Sequence, residues 1–211
     1  MALFITFEGG EGCGKSVQAR ALYRRLSQLA IPVILTHEPG GTAFGKRIGR
    51  WLKWTQNADI SPLTELMLFN ASRAQLVDKV IQPSLKVRKV VICDRYADST
   101  TAYQSYGRGL DLEMVKAVSN AATQGLKPDL VVLLDISAEE GLARKRGKKP
   151  DRFEQEALAF HQRVREGYLK LVADDPQHWL VIDASQPKEK IKEIIWQRVK
   201  RLISQQGLKD E

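Results

Sequence analysis

Cysteine is scarce in this chain, with two in 211 residues, Cys13 and Cys93. Two thiols cannot build the disulfide framework of a small secreted domain, so a reducing, cytoplasmic compartment is the default expectation. No apolar run approaches the ~18–20 residues that cross a bilayer. The opening MALFITFEGG has no basic segment and meets charge at Glu8, so it does not read as a signal peptide. Repeats with a period of roughly 20–50 residues are missing, and so are linkers rich in Pro, Gly or Ser. Acidic residues are outnumbered, 25 against 33 Lys and Arg, for a net charge of +8. That excess suits a nucleic-acid binder, an anionic membrane surface or a small acidic ligand, and does not choose among them.

What is present is an ordinary globular composition, 43% hydrophobic and 27% charged, with 15 Gly and 8 Pro. A chain of this length buries roughly 70% of its unfolded surface and needs no covalent staple. Short apolar runs at 3–7, 33–35, 90–93, 130–134 and 179–182 read as strands, separated by amphipathic segments. The first helix is expected over about 15–30, with Val17, Ala21, Leu22, Leu26 and Leu29 on one face and Pro32 as its stop. Phe44, Ile48, Trp51 and Leu52 mark the next helix, after a Glu38-Pro-Gly-Gly loop. Ser61-Pro62 reads as an N-cap followed by Pro at the first helical position, opening a helix that carries Leu66, Phe69, Arg73 and Val77. Ser137 and Glu140 form a capping box, and Pro187 opens a C-terminal helix with Ile191, Ile194, Ile195, Val199 and Leu202 inward. Strands apolar on both faces and alternating with helices predict one α/β domain over 1–211. Its five-stranded parallel sheet would be doubly wound, with ligands at the carboxyl ends of the strands.

Residues 9–16, Gly-Gly-Glu-Gly-Cys-Gly-Lys-Ser, match the phosphate-loop pattern G-x-x-x-x-G-K-[ST] between a predicted strand and a predicted helix. Glycine is needed because backbone N–H groups must approach phosphate oxygens with no side chain intervening, at the positive end of a helix. In such a loop Lys15 reaches the β and γ phosphates and the Ser16 hydroxyl binds Mg²⁺. Val90–Asp94 is an apolar strand ending in a carboxylate, the place for a second metal contact. Asp135 also ends a strand, but the capping box that follows it favours a structural role. No N-K-x-D sequence is present to read guanine, and no helicase-like acidic pair follows Asp94. Residues 144–152 hold six Lys or Arg against one Asp, with Gly147 and Pro150 among them. Such a run suits a mobile lid, at approximately 143–153, that excludes water during phosphoryl transfer between nucleotides.

Taken together, residues 4–16, Glu38-Pro-Gly-Gly-Thr42, Phe69-x-x-x-Arg73 and Asp94-Arg-Tyr-Ala-Asp-Ser99 resemble the thymidylate kinases. The resemblance runs from about residue 3 to the fifth strand and more loosely to the C-terminus. It implies phosphorylation of dTMP to dTDP with ATP and Mg²⁺, on a P-loop sheet of order 2-3-1-4-5. In the roles it implies, Gly9, Gly10, Glu11, Gly12, Cys13, Gly14, Lys15 and Ser16 bind ATP, and Ser16 and Asp94 hold the metal. Arg73 and Arg95 grip the acceptor phosphate as forks. Phe69 stacks on thymine, Thr100 and Gln104 lie near the base edge, Tyr103 lies under the deoxyribose, and Glu11 approaches the 3′-hydroxyl. Glu38, Pro39 and Ser99 complete the dTMP site. Position 13 is Cys rather than Arg, which resembles the members whose catalytic arginine lies in the lid. Arg144 would then stack on adenine, Arg146 or Arg152 would reach the transferring phosphate, and Ser185, Gln186 and Pro187 would border the adenine.

His37 stands where the family often has Arg, so acceptor affinity is expected to weaken above roughly pH 6.5 if His37 contacts phosphate. Cys13, beside Lys15 and a helix N-terminus, is a candidate for oxidation. The resemblance also implies a homodimer, with no stable nucleic-acid or membrane partner. A kinase for another nucleoside or nucleoside monophosphate, or a P-loop ATPase acting on nucleic acid or a protein, would share several of these features. The cluster Lys188, Lys190, Lys192, Arg198, Lys200 and Arg201 on the C-terminal helix has no function in this reading.

Overall fold

A computed structural model describes residues 2–54, 60–147 and 149–205. Five strands, β1 (Leu3–Glu8), β2 (Val33–His37), β3 (Val90–Asp94), β4 (Leu130–Asp135) and β5 (Trp179–Asp183), pair in parallel in the order β2-β3-β1-β4-β5. This is the order that the resemblance implied. β1, β3 and β4 are buried on both faces, as their unbroken apolar sequences require. Side chains alternate across the sheet. Leu3, Ile5 and Phe7 join a core with Leu22 and Leu26 of α1 (Lys15–Gln28) and Ile191, Ile195 and Val199 of α9 (Lys188–Gln205). Phe4, Val91 and Cys93 face the other way, onto Leu76, Val77, Ile81 and Tyr96.

The helices on that second side begin with α2 (Ala43–Trp54) and α3 (Pro62–Leu76). α3 runs on through a π-helical turn, Val77–Ile81, into α4 (Gln82–Lys86). After β3 come α5 (Ala97–Thr100), a π-helical segment Thr101–Gly107, and α6 (Leu112–Thr123). α7 (Ala138–Ala143) and α8 (Leu158–Asp174) follow β4. A third apolar cluster, including Tyr103, Leu133, Phe153, Phe160 and Tyr168, ties α8 and the π-helical segment to β4. The expected caps are present. Ser61 Oγ accepts from Thr64 N, and Ser137 Oγ accepts from Glu140 N while donating to Glu140 Oε2. Asp135 takes a bidentate fork from Arg165 at 2.7 and 2.8 Å, which pins α8 to the end of β4.

Two details of packing differ from the periodic reading. On α1, Val17 and Leu29 are exposed, whereas Gln18 and Ala19 turn inward. α1 ends at Gln28, and Ala30 adopts a left-handed φ of 55° before Pro32 is reached. On α2, Ile48 and Leu52 are buried but Phe44 and Trp51 are exposed, Trp51 by 67%. The cause is a glycine face. A Cβ at Gly45 would lie 2.7 Å from the Gly40 carbonyl and Ser72 Oγ, and one at Gly49 would lie 3.1 Å from the Pro39 carbonyl. α2 therefore closes on the 39–40 loop and α3 through its glycines, which leaves the two large aromatics outside. Among the described residues, no helix is long and apolar enough to cross a membrane.

Candidate active site

The phosphate loop joins β1 to α1 in a conformation that only glycine tolerates at two of its turns. Gly12 has φ 67° and lies so close to Gly141 that a Cβ would collide with its carbonyl, and Gly14 caps α1 at φ 97°. Lys15 is buried, its Nζ donating to the Gly9 and Gly10 carbonyls at 2.9 and 2.6 Å and to Cys13 Sγ at 3.3 Å. Ser16 Oγ donates to Asp94 Oδ2, so the loop and the end of β3 converge on one point.

Arg73 comes from α3, one turn after Phe69, and is only 1% exposed. Its guanidinium donates to Glu38 Oε2 at 2.8 Å, Asn70 Oδ1 at 2.9 Å, the Tyr96 carbonyl at 3.0 Å and Thr100 Oγ1 at 2.8 Å. Burial outweighs Arg73 and lifts the Glu38 carboxyl to about 7, and Glu38 Oε1 has no hydrogen-bond partner among the described residues. Arg95 adopts a left-handed φ of 72°. Its fork donates to Glu11 Oε1 at 2.7 Å, Tyr103 hydroxyl at 3.1 Å, the Gly9 carbonyl at 3.2 Å and Ser99 Oγ at 3.1 Å. Burial opposes ionisation of Glu11, but Arg95 and then Lys15 overcome it and hold the carboxyl at about 2. Behind this turn lies the fully buried Glu8, which accepts from Tyr96 N at 2.7 Å, Ser99 Oγ at 2.5 Å and Tyr168 hydroxyl at 3.0 Å.

Lys15, Ser16, Asp94, Arg73, Glu38, Arg95 and Glu11 share one cavity of about 1200 Å³. All ten residues expected around the acceptor line it, as do Gly12, Cys13, Gly14, Lys15 and Ser16 of the loop, and Asp94, Arg144, Gln186 and Pro187. Gly9, Gly10 and Ser185 stand outside the lining, although the two glycines contribute the carbonyls that hold Lys15. Arg144 donates to the Ala184 carbonyl at 3.0 Å, which brings the 144 and 184–187 segments together.

Of the lid arginines, Arg144 lines the cavity but Arg146 and Arg152 do not. Arg146 is exposed and outside the cavity lining. Arg152 turns away from the phosphate loop to pair with Glu65 and donates to the Leu52 carbonyl at 2.9 Å. The reason is Glu65, a fully buried carboxylate that requires cationic partners. Lys145, missed when only the arginines of the basic run were weighed, lines the cavity, and its charge acts on Glu11. Phe153, also missed, is buried against Phe69 and Tyr103 with ring centroids 5.7 and 6.0 Å away. Glu8 and Tyr168 carried no motif that could have marked them.

Cys13 is 2% exposed and packed beneath Lys15, a wall of the site rather than an open thiol. Burial also pushes the Cys93 thiol up. His37 lines the cavity with its ring against Gly40, and burial lowers its imidazole below the ordinary value of 6.5. That direction moves any His37-linked pH dependence below the pH 6.5 expected from the sequence. Glu38 supplies a different one. Its carboxyl rises from 4.5 to about 7 on folding, so the folded chain binds this proton more tightly than the unfolded chain. The resulting stability is complete below pH 4.5 and is lost as pH rises towards 7. Urea midpoints across that window should fall more steeply for the parent protein than for Glu38→Gln, and parallel curves would refute the assignment.

A glycine loop of the phosphate-cradling pattern thus opens into the same cavity as the buried Arg73, the half-buried Arg95 and an aromatic wall, an arrangement suited to moving a phosphoryl group between two bound molecules. A family profile described as thymidylate kinase matches residues 7–195. A protein named thymidylate kinase from Dehalococcoides mccartyi (strain CBDB1) is 56% identical over 203 residues, covering 96% of this chain and 98% of its own. Another of that name, from Roseiflexus castenholzii, is 50% identical over 209 residues, covering 92% of this chain and 91% of its own. The crystal structure of thymidylate kinase from Ehrlichia chaffeensis superposes with a TM-score of 0.74 at 32% identity, covering 95% of this chain and 98% of that one. Fold, site and relatives agree: the chain belongs to the thymidylate kinase family.

Proposed function

We propose that this protein transfers the γ-phosphoryl group of ATP to the 5′-phosphate of dTMP, forming dTDP by in-line displacement. The observation that carries this reading is the single cavity joining the phosphate loop to Phe69, Arg73 and Arg95. Lys15 would leave the loop carbonyls to neutralise the donor phosphates. Arg73 and Arg95 would hold the acceptor phosphate, whose oxygen is already nucleophilic and needs no strong base. Phe69 and Phe153 form the aromatic wall for the base, and Arg144 with Gln186 and Pro187 forms the rim for adenine.

The residues present fit Mg²⁺. Ser16 and Asp94 offer hard oxygen donors where loop and strand meet. Among the described residues no cluster of three His, Cys, Asp or Glu stands ready to hold a metal, so nucleotide phosphates and water would complete the shell. When bound, the ion neutralises charge on the transferring phosphates. Asp94→Asn should raise the Mg²⁺ concentration needed for half-maximal rate by about tenfold or more, and an unchanged Mg²⁺ titration would remove Asp94 from this role.

Segment 143–153, of which Lys148 lies outside the described residues, serves as the lid in this reading. For Arg152 to reach the transferring group it would have to leave Glu65, whereas Lys145 already stands in the cavity wall. Two free buried thiols support a cytoplasmic setting. The exposed Phe44 and Trp51 on α2, seven residues apart, and Leu63 and Met67 on α3, four apart, support a homodimer formed through this helix pair. Light scattering should then give twice the chain mass, and a mass near 23.8 kDa would oppose it.

A coupled ADP-release assay with a panel of nucleoside monophosphates tests the main reading, with dTMP expected to give the highest kcat/KM. Equal phosphate release without any acceptor, or stimulation by DNA, would overturn it in favour of an ATPase.

A further inference from the structure

Glu65 is a costly residue to place where it is. It sits on α3 one turn before Phe69, with its side chain 1% exposed. Two cations offset that burial: Arg108, with Nε 3.2 Å from Oε1 and Nη2 3.3 Å from Oε2, and Arg152. The fourth member is neutral. Gln104 Nε2 donates to Glu65 Oε1 at 2.8 Å.

Gln104 is itself buried, on the π-helical segment, and lines the cavity beside Tyr103. A carboxylate only accepts hydrogen bonds, so the amide face turned towards Glu65 must be the NH₂. Rotating that amide by half a turn would set its carbonyl against a carboxylate oxygen, two acceptors with no proton between them. The carbonyl is therefore left as the free edge of the amide, and Gln104 Oε1 accepts nothing from the described residues. We infer that Glu65 is a positioning residue for base selection: it locks the Gln104 carbonyl towards the acceptor base, which favours a pyrimidine with an N3–H donor and rejects one with an N3 lone pair.

The inference rests on the reading of this end of the cavity as the acceptor site. Thymine and uracil present N3–H, which the Gln104 carbonyl can accept, flanked by carbonyls that suit the remaining amide proton. Cytosine presents a lone pair at N3 and an amino group at C4, and would need the amide reversed. Glu65 makes that reversal unfavourable without touching the base. Discrimination of this kind is large because a mismatched buried polar edge is left unpaired on both sides.

Glu65→Gln keeps the shape of the side chain but can donate as well as accept, so it releases the Gln104 amide to turn. The ratio of kcat/KM for dTMP to that for dCMP should fall by about tenfold or more, with dUMP following dTMP because it carries the same edge. Glu65→Asp keeps an acceptor-only group and should retain the ratio even if total activity drops. In a Gln104→Ala background, Glu65→Gln should shift the ratio no further. A purely structural Glu65 would lower activity on all three monophosphates together. An unchanged ratio in Glu65→Gln, or an equal shift in the Gln104→Ala background, would overturn the inference. If the parent protein shows no preference for dTMP, the acceptor reading fails and takes this inference with it; an intact preference untouched by Glu65→Gln sinks only the inference.

Discussion

Arg73→Ala is expected to lower kcat/KM for dTMP by about 10³-fold and to destabilise the folded chain by about 3–5 kcal/mol. Both effects follow from the same geometry. Arg73 is buried and makes bonds to Glu38, Asn70, the Tyr96 carbonyl and Thr100, so deletion strands a carboxyl that burial has already lifted to about 7. The activity loss reflects removal of a planar fork from the acceptor phosphate, an interaction that lysine reproduces only as a point charge. Pairing the substitution with Glu38→Gln separates the two. The double variant should regain much of the stability, because no buried charge remains, while activity stays low. Urea unfolding and steady-state rates at saturating ATP provide the two readouts. A folded Arg73→Ala protein with an unchanged KM for dTMP would falsify the acceptor assignment.

Lys15→Met should reduce kcat by about 10²–10³-fold with a much smaller change in stability. The ammonium bonds to the Gly9 and Gly10 carbonyls; the Gly9 carbonyl also accepts from Arg95 Nη1 at 3.2 Å, and Gly10 is only half-buried. When the amine is gone Arg95 still serves the Gly9 carbonyl and water can reach the Gly10 carbonyl, so no buried charge is left without a partner. What is lost is positive charge where negative charge accumulates during transfer, which lowers kcat more than it raises the KM for ATP. Rapid-quench measurement of the first turnover distinguishes a slowed chemical step from slowed product release. A kcat within a few-fold of the parent protein would show that Lys15 is not the cation that stabilises the transfer.

The phosphate loop was legible because it is contiguous: its glycines, Lys15 and Ser16 act within eight residues of chain, and their chemistry is a property of local backbone. The strands were legible for a related reason, since burial on both faces demands unbroken apolar runs. Their order came from resemblance and not from periodicity, because apolar runs do not state which neighbour they pair with. α2 shows where pattern fails. Phe44 and Trp51 read as part of an amphipathic helix, yet Gly45 and Gly49 form the packed face because the 39–40 loop and α3 come too close for a side chain.

Long-range partners were the other blind spot. Glu8 meets Ser99 across 91 residues and Tyr168 across 160, and nothing local to any of the three announces the contact. The lid is the sharpest division. Sequence alone determined that a basic run, rich in arginine and carrying Gly147 and Pro150, stands between the helix that follows the fourth strand and the next helix. Only the tertiary structure decided which cation faces the cavity. Glu65, buried on a helix far away in the chain, draws Arg152 to itself, whereas Lys145, paired with Glu154 at 2.6 Å, lines the cavity with Arg144. Composition can count charges, but a buried carboxylate chooses its partner by proximity in the folded chain, where desolvation makes an unpaired charge too costly to keep.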